Sequence, residues 1–164
     1  MEILDSRVRE AIVSLGVTCE VLPCDPEFAD TAAFCARYGI PPAESANTIV
    51  VASRKEPKLY AACLVLSTTK LDVNHRVSEL LGVRKLSFAS GEETVAQTGM
   101  MVGGVTLFGL PPAWPIYIDS RVAALPSVVV GGGNRSSKLR LAPTELLRIP
   151  NARAVEGLAL DRQS

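Results

Sequence analysis

The chain has 164 residues, 17 Lys plus Arg against 17 Asp plus Glu, and 48% apolar residues. That length suits one globular domain, residues 1–164, with a core that needs no disulfide or metal staples, and the composition excludes a disordered chain. Zero net charge excludes a general polyanion binder, so any nucleic-acid contact is local or shared, and the small basic groups at Arg84 and Lys85 and at Arg135, Lys138 and Arg140 read as solvated faces.

In chain order, Leu4, Val8, Ala11, Ile12 and Leu15 form a helical stripe, with Asp5 or Ser6 to cap it and Gly16 to close it. Residues 17–22 alternate as a strand stopped by Pro23. Residues 31–38 read as a helix with Asp30 or Thr31 as N-cap, followed by the Pro41-Pro42 turn. Residues 48–52 and 59–66 are apolar, β-branched runs across a polar turn, hence a hairpin. Asp72 opens a helix over 73–81, ended by Gly82, and 84–89 is a strand. Ser90-Gly91-Glu92-Glu93 is an S-x-x-E capping box opening a helix that ends near Gly99. After a Gly103-Gly104 loop, residues 115–119 and 127–130 are strands, 131–134 a glycine turn and 138–141 a further strand. Pro143 starts a last helix reaching Leu147, and the tail after Leu160 is expected to fray. About seven strands and five helices without strict alternation predict an α/β (α+β) fold, a mixed sheet with helices packed outside.

Cys19, Cys24, Cys35 and Cys63 form no C-x-x-C pair, and His75 is the single histidine, so the spacing offers no zinc site and no cofactor is expected. The acidic start, Met1 to Asp5, carries no secretory signal, and no stretch approaches the roughly 20 apolar residues of a membrane span. A reduced, cytoplasmic chain with no membrane partner is expected, its cysteines acting as small core hydrophobes. Gly131-Gly132-Gly133 lacks the lysine and hydroxyl of a phosphate loop and does not open a long helix after a first strand.

Several segments together carry a resemblance over residues 44–149: Ser45-Ala46-Asn47-Thr48-Ile49-Val50-Val51; Lys70-Leu71-Asp72-Val73 with Leu80-Leu81-Gly82-Val83-Arg84-Lys85; Thr98-Gly99 through Val102-Gly103-Gly104-Val105-Thr106; Pro115 to Asp119; and Val128 to Gly132 followed by Leu139 to Leu141. In their order and spacing they resemble the YbaK/ProX family of aminoacyl-tRNA deacylases, whose domain is also found with prolyl-tRNA synthetases. The resemblance implies a curved mixed sheet, no metal, and loss of the aminoacyl group from the 3′ end of a mischarged tRNA, with tRNA-Pro and a synthetase as expected partners. The oligomeric state does not follow from it.

The resemblance also implies the site. Gly103 and Gly104 stand where the family has a main-chain wall, and Thr106 at its hydroxyl position, followed by Leu107 where the family often has proline. Gly131 and Gly132 fall in its glycine turn beside the pocket. Asp119 stands at a functional aspartate, with an N-cap role as the local alternative. Asn47 replaces the family's lysine; it donates hydrogen bonds but brings no charge. A weakened deacylase, a catalytically silent aminoacyl-tRNA or nucleotide-conjugate binding module of the same fold, a second cation such as Lys70 or Arg135, or a different substrate all follow from that replacement. Cys24 is implied as pocket lining or core, and Thr31 matches a family threonine that also suits helix capping.

Overall fold

The computed structural model describes residues 3–162. Helix α1 (Ser6–Leu15) starts where the Asp5 carboxylate accepts the Arg7 and Val8 N–H groups, stops at Gly16, and buries Val8 and Ile12. Strand β1 (Glu20–Pro23) follows, then a 3-10 turn at Pro26–Phe28 and helix α2 (Thr31–Tyr38), which buries Phe34 and Cys35. Strands β2 (Ala46–Ser53) and β3 (Tyr60–Leu66) form the expected antiparallel hairpin, with Asn47 opposite Val65 and Val51 opposite Ala61. Both faces of β3 are covered, which is why it is an unbroken apolar run. Ala62 and Leu64 pack with Val8, Ile12 and Phe108, while Cys63 and Val65 pack with Leu71, Val77 and Leu158.

Strand β4 (Thr69–Leu71) leads into a π-helical turn at Val73–Val77 and helix α3 (Ser78–Leu81). The continuous helix expected over 73–81 therefore opens wide, and Asp72 makes no capping bond; its carboxylate lies 3.6 Å from His75 Nδ1. Strand β5 (Leu86–Phe88) precedes helix α4 (Gly91–Thr98), whose Glu93 N–H is capped by Ser90 Oγ at 3.0 Å. Only half of the capping box forms, because the Glu93 carboxylate accepts from Tyr60 Oη at 2.7 Å instead.

Strand β6 (Ile116–Asp119) runs straight into the short helix α5 (Ser120–Ala123). Strands β7 (Val128–Gly131) and β8 (Ser137–Leu141), helix α6 (Pro143–Leu146), and strands β9 (Ala152–Val155) and β10 (Ala159–Asp161) complete the described chain.

The sheets are a mixed five-stranded one of order β5-β2-β3-β6-β9, a three-stranded antiparallel one of order β1-β8-β7, and the pair β10-β4. A parallel bridge from Ser45 to Val129 joins the first two at the start of β2. The ten strands among the described residues exceed the expected seven because β4, β9 and β10 are three or four residues long and carry too little periodicity to read. Of the tail expected to fray after Leu160, Asp161 pairs with Thr69 and its carboxylate binds Arg121 at 2.6 Å, and Arg162 binds the Thr69 carbonyl at 3.1 Å; residues 163–164 lie outside the described residues. Among the described residues no helix is long and apolar enough to cross a membrane.

Candidate functional site

Where the two larger sheets meet, a cavity of about 370 Å³ opens between the start of α2, strand β2, the N-terminal end of α4, the glycine loop and β7. That volume lies in the range of small-molecule sites. Four residues singled out from the sequence line it together: Thr31, Asn47, Gly103 and Gly131. The Thr31 hydroxyl donates to the Asn47 carbonyl oxygen, which fixes the amide so that its NH2 is presented; among the described residues that NH2 has no acceptor. Thr48, the next residue along β2, also lines the cavity, but its hydroxyl is closed off from solvent and has no partner among the described residues.

The two glycine-rich segments are built into each other. At Gly104 an added Cβ would stand 2.1 Å from the Asn134 carbonyl oxygen, and at Gly131 it would stand 2.3 Å from that of Val105. Main chain therefore packs on main chain here, a distance only glycine allows. Leu107 and Phe108, both buried, anchor the far side of the loop in the core. Gly103, at φ +88°, is what remains at the cavity wall. Gly104 and Gly132 do not line it; a Cβ at Gly132 would meet Ser137 Oγ at 2.3 Å. Thr106 is fully buried beside the loop, with no partner for its hydroxyl among the described residues.

Cys24 is also outside the cavity wall. It packs with Ala29, Phe34, Cys35, Ile40 and Val129, and its thiol contacts the Asp25 carbonyl at 3.3 Å. Burial pushes that thiol above its ordinary pKa, against the pull of Lys138. A buried thiol kept protonated is a core group and not a nucleophile.

Asp119 is buried at the end of β6 and caps α5: one carboxylate oxygen takes the Arg121 N–H at 3.5 Å, and the other has no hydrogen-bond partner among the described residues, with Arg121 Nε 3.8 Å away. The strand register puts it level with Asn47 but two strands away, beyond the last β3–β6 pair of Leu64 with Ile118. Burial raises its pKa, only partly offset by the Arg121 N–H and charge. A raised carboxyl pKa means stability present at low pH and lost as pH rises through the folded-state value. Asp119→Asn keeps the capping oxygen and removes the charge. It is therefore expected to melt no lower than the parent at pH 7, with the gap closing as pH falls toward about 4. Deacylation separates the cap from the pocket role implied by the resemblance: a fall of about tenfold or more in the same variant supports the latter.

Lys138, expected on a solvated face, is 6% exposed and lines the cavity. Of the cations considered for the place left by the missing lysine, Lys70 is exposed on β4, away from the cavity. Arg135 spends its guanidinium on the Pro26 carbonyl at 2.9 and 3.2 Å, the Val102 carbonyl at 3.0 Å and the Asp30 carboxylate at 3.1 Å. It straps the glycine loop to the start of α2 with four of its five N–H groups and does not line the cavity.

Known proteins place this geometry. A proposed Cys-tRNA(Pro)/Cys-tRNA(Cys) deacylase of Enterococcus faecalis, EbsC, is 28% identical over 85 residues, covering 46% of this chain and 52% of EbsC. The chain thus spans about half the length of that curated relative. The crystal structure of a hypothetical protein, APE2540, superposes with a TM-score of 0.83 at 26% identity, covering 94% of this chain and 99% of that one. A proposed trans-editing enzyme for prolyl-tRNA synthetase superposes with a TM-score of 0.78 at 24% identity over 92% and 94% of the two chains, a likeness of fold. The profile of the aminoacyl-tRNA editing domain matches residues 25–149, a span that contains every residue lining the cavity. This chain belongs to the aminoacyl-tRNA editing domain family.

Proposed function

We propose that the chain is a trans-acting aminoacyl-tRNA deacylase that accepts the charged 3′ end of a mischarged tRNA in the cavity between α2, β2 and the glycine loop. The observation that carries this is the cavity itself. Asn47 and Gly103 offer it an amide NH2 and a main-chain N–H with no acceptor among the described residues. An aminoacyl ester is already activated; its hydrolysis needs a held acceptor end, donors for the developing oxyanion and an aimed nucleophile. The donors are those of Asn47 and Gly103, and the nucleophile is water or a group of the substrate. Phe34, Ile49, Phe88 and several alanines and valines supply the apolar part of the lining, against which an aminoacyl side chain can pack.

We assign tRNA-Pro as the carrier and a small amino acid such as cysteine as the cargo, with a prolyl-tRNA synthetase as the source of the error. The names of EbsC and of the structural relative support this choice. The test is a deacylation time course over a panel of mischarged tRNAs. Release from small-amino-acid tRNA-Pro faster than the protein-free control is expected; curves that match the control throughout the panel overturn the enzyme reading.

A silent binding module is the second reading, favoured by the uncharged Asn47. Asn47→Lys decides between them: activity in the variant alone supports the silent module, and activity in the parent supports the enzyme.

A further inference from the structure

Lys138 stands on β8 directly opposite Gly131 of β7, and its stem runs to the cavity wall. The ammonium donates to the carbonyls of Ala29 at 2.7 Å and Gly103 at 2.9 Å, and lies 5.4 Å from the centre of the Phe34 ring. An ammonium has three N–H groups, so one is left over. No carboxylate among the described residues comes within 4.0 Å of it, and Asp30, next to Ala29, is taken by Arg135. Burial draws the Lys138 pKa below its ordinary value; Arg135 adds to this, while Cys24, Asp30 and Cys35 oppose it. A buried cation without an anion is costly, and carbonyl dipoles offset only part of that cost.

A second feature faces the same space. Helix α2 begins at Thr31, on the cavity wall, and Asp30 makes no side-chain capping bond to it. The Phe34 N–H is taken by the Asp30 carbonyl, while the Thr31 N–H has no acceptor among the described residues and lies at the positive end of the helix dipole. A fixed ammonium, an open helix start and the Asn47 NH2 together form a site for an anion that the protein does not itself contain.

We propose that Lys138 is the cation that binds the 5′-phosphate of the terminal nucleotide, supplying from β8 the charge that position 47 lacks on β2. This rests on the reading of the cavity as the site of the charged 3′ end. The distinguishing test is calorimetric titration of the intact protein with 5′-AMP and with adenosine at low salt. AMP is expected to bind about tenfold or more tighter than adenosine, the worth of one charge-assisted contact. Lys138→Met is expected to bring AMP down to the adenosine level and leave adenosine unchanged. Adding Asn47→Lys to that variant restores the preference, which a merely structural lysine would not allow.

Equal affinities in the parent, or a preference kept by Lys138→Met, overturn the assignment while leaving the cavity reading standing. Failure of both compounds to bind overturns the two together. An apolar near-isostere in place of an unpaired buried ammonium is expected to fold; should it not, the parent's AMP-to-adenosine ratio decides alone.

Discussion

Gly104→Ala is expected to destabilise the protein by about 3 kcal/mol, a fall in Tm of roughly 6–12 °C for a chain of this size. The new Cβ would stand 2.1, 2.5 and 2.9 Å from the O, C and N atoms of Asn134. These are main-chain atoms, so no side chain can swing aside to make room. Gly104 O also accepts the Gly133 N–H across the same contact, which pins the two loops together. Gly82→Ala is the control: Gly82 has φ +68° with nothing within 4 Å of an added Cβ, so only the left-handed backbone is penalised, by about 1–2 kcal/mol. Thermal melts of both variants check the difference. Equal losses would mean that the loops do not pack main chain to main chain, and that Gly103 is not held at the cavity wall in the way described.

Asn47→Asp is expected to lower kcat/KM for deacylation about 10²–10³-fold with little change in Tm. The substitution is nearly isosteric, but it replaces the presented NH2 with a carboxylate oxygen. The oxyanion loses a donor and gains a repulsive neighbour. The carboxylate would also offer the Lys138 ammonium an internal anion and so compete with the incoming phosphate. The Thr31 hydroxyl, which donates to the carbonyl oxygen of Asn47, keeps an acceptor in the variant, so local order is retained. Steady-state kinetics on a mischarged tRNA-Pro read the effect. A change under threefold would remove Asn47 from the chemistry and leave it as a partner of Thr31 alone.

Much of the fold was legible because its signals are local. Asp5 and Gly16 bound α1, Ser90 opens α4, and the turn between two β-branched runs gives the β2–β3 hairpin. The cap at Asp5 needs only neighbours two and three residues away to form. What stayed hidden depends on distant partners. Strand β10 exists because β4 is there to pair with it, and the tripeptide Ala159–Asp161 carries no period of its own. The same division runs through the site. Thr31, Asn47, Gly103 and Gly131 follow from the family resemblance and share the cavity. Gly104 carries the same local signal as Gly103, yet one packs on Asn134 and the other lines the wall, a choice made by the facing loop.

Lys138 was hidden for a related reason. Ser137-Lys138-Leu139-Arg140-Leu141 alternates polar and apolar residues, and alternation in a strand ordinarily puts the polar set in solvent. In this protein the face opposite Leu139 and Leu141 is roofed at Lys138 by α2 and the glycine loop, which bury the ammonium against Ala29 and Gly103. Arg140, two residues on and beyond that roof, is a partly exposed partner of Glu20, as the alternation implies. The signal that could have found Lys138 is its place across a hairpin from Gly131, a cavity glycine with no side chain to cover it.

The most direct measurement is a crystal structure with a non-hydrolysable 3′-aminoacylamino analogue of the terminal adenosine. The account predicts the analogue in the cavity, its aminoacyl carbonyl against Asn47 and Gly103 and its ribose beside Thr31. An analogue seated in the shallow groove of Thr18, Glu20, Arg140 and Glu145, with the α2–β2 cavity left open, would contradict it.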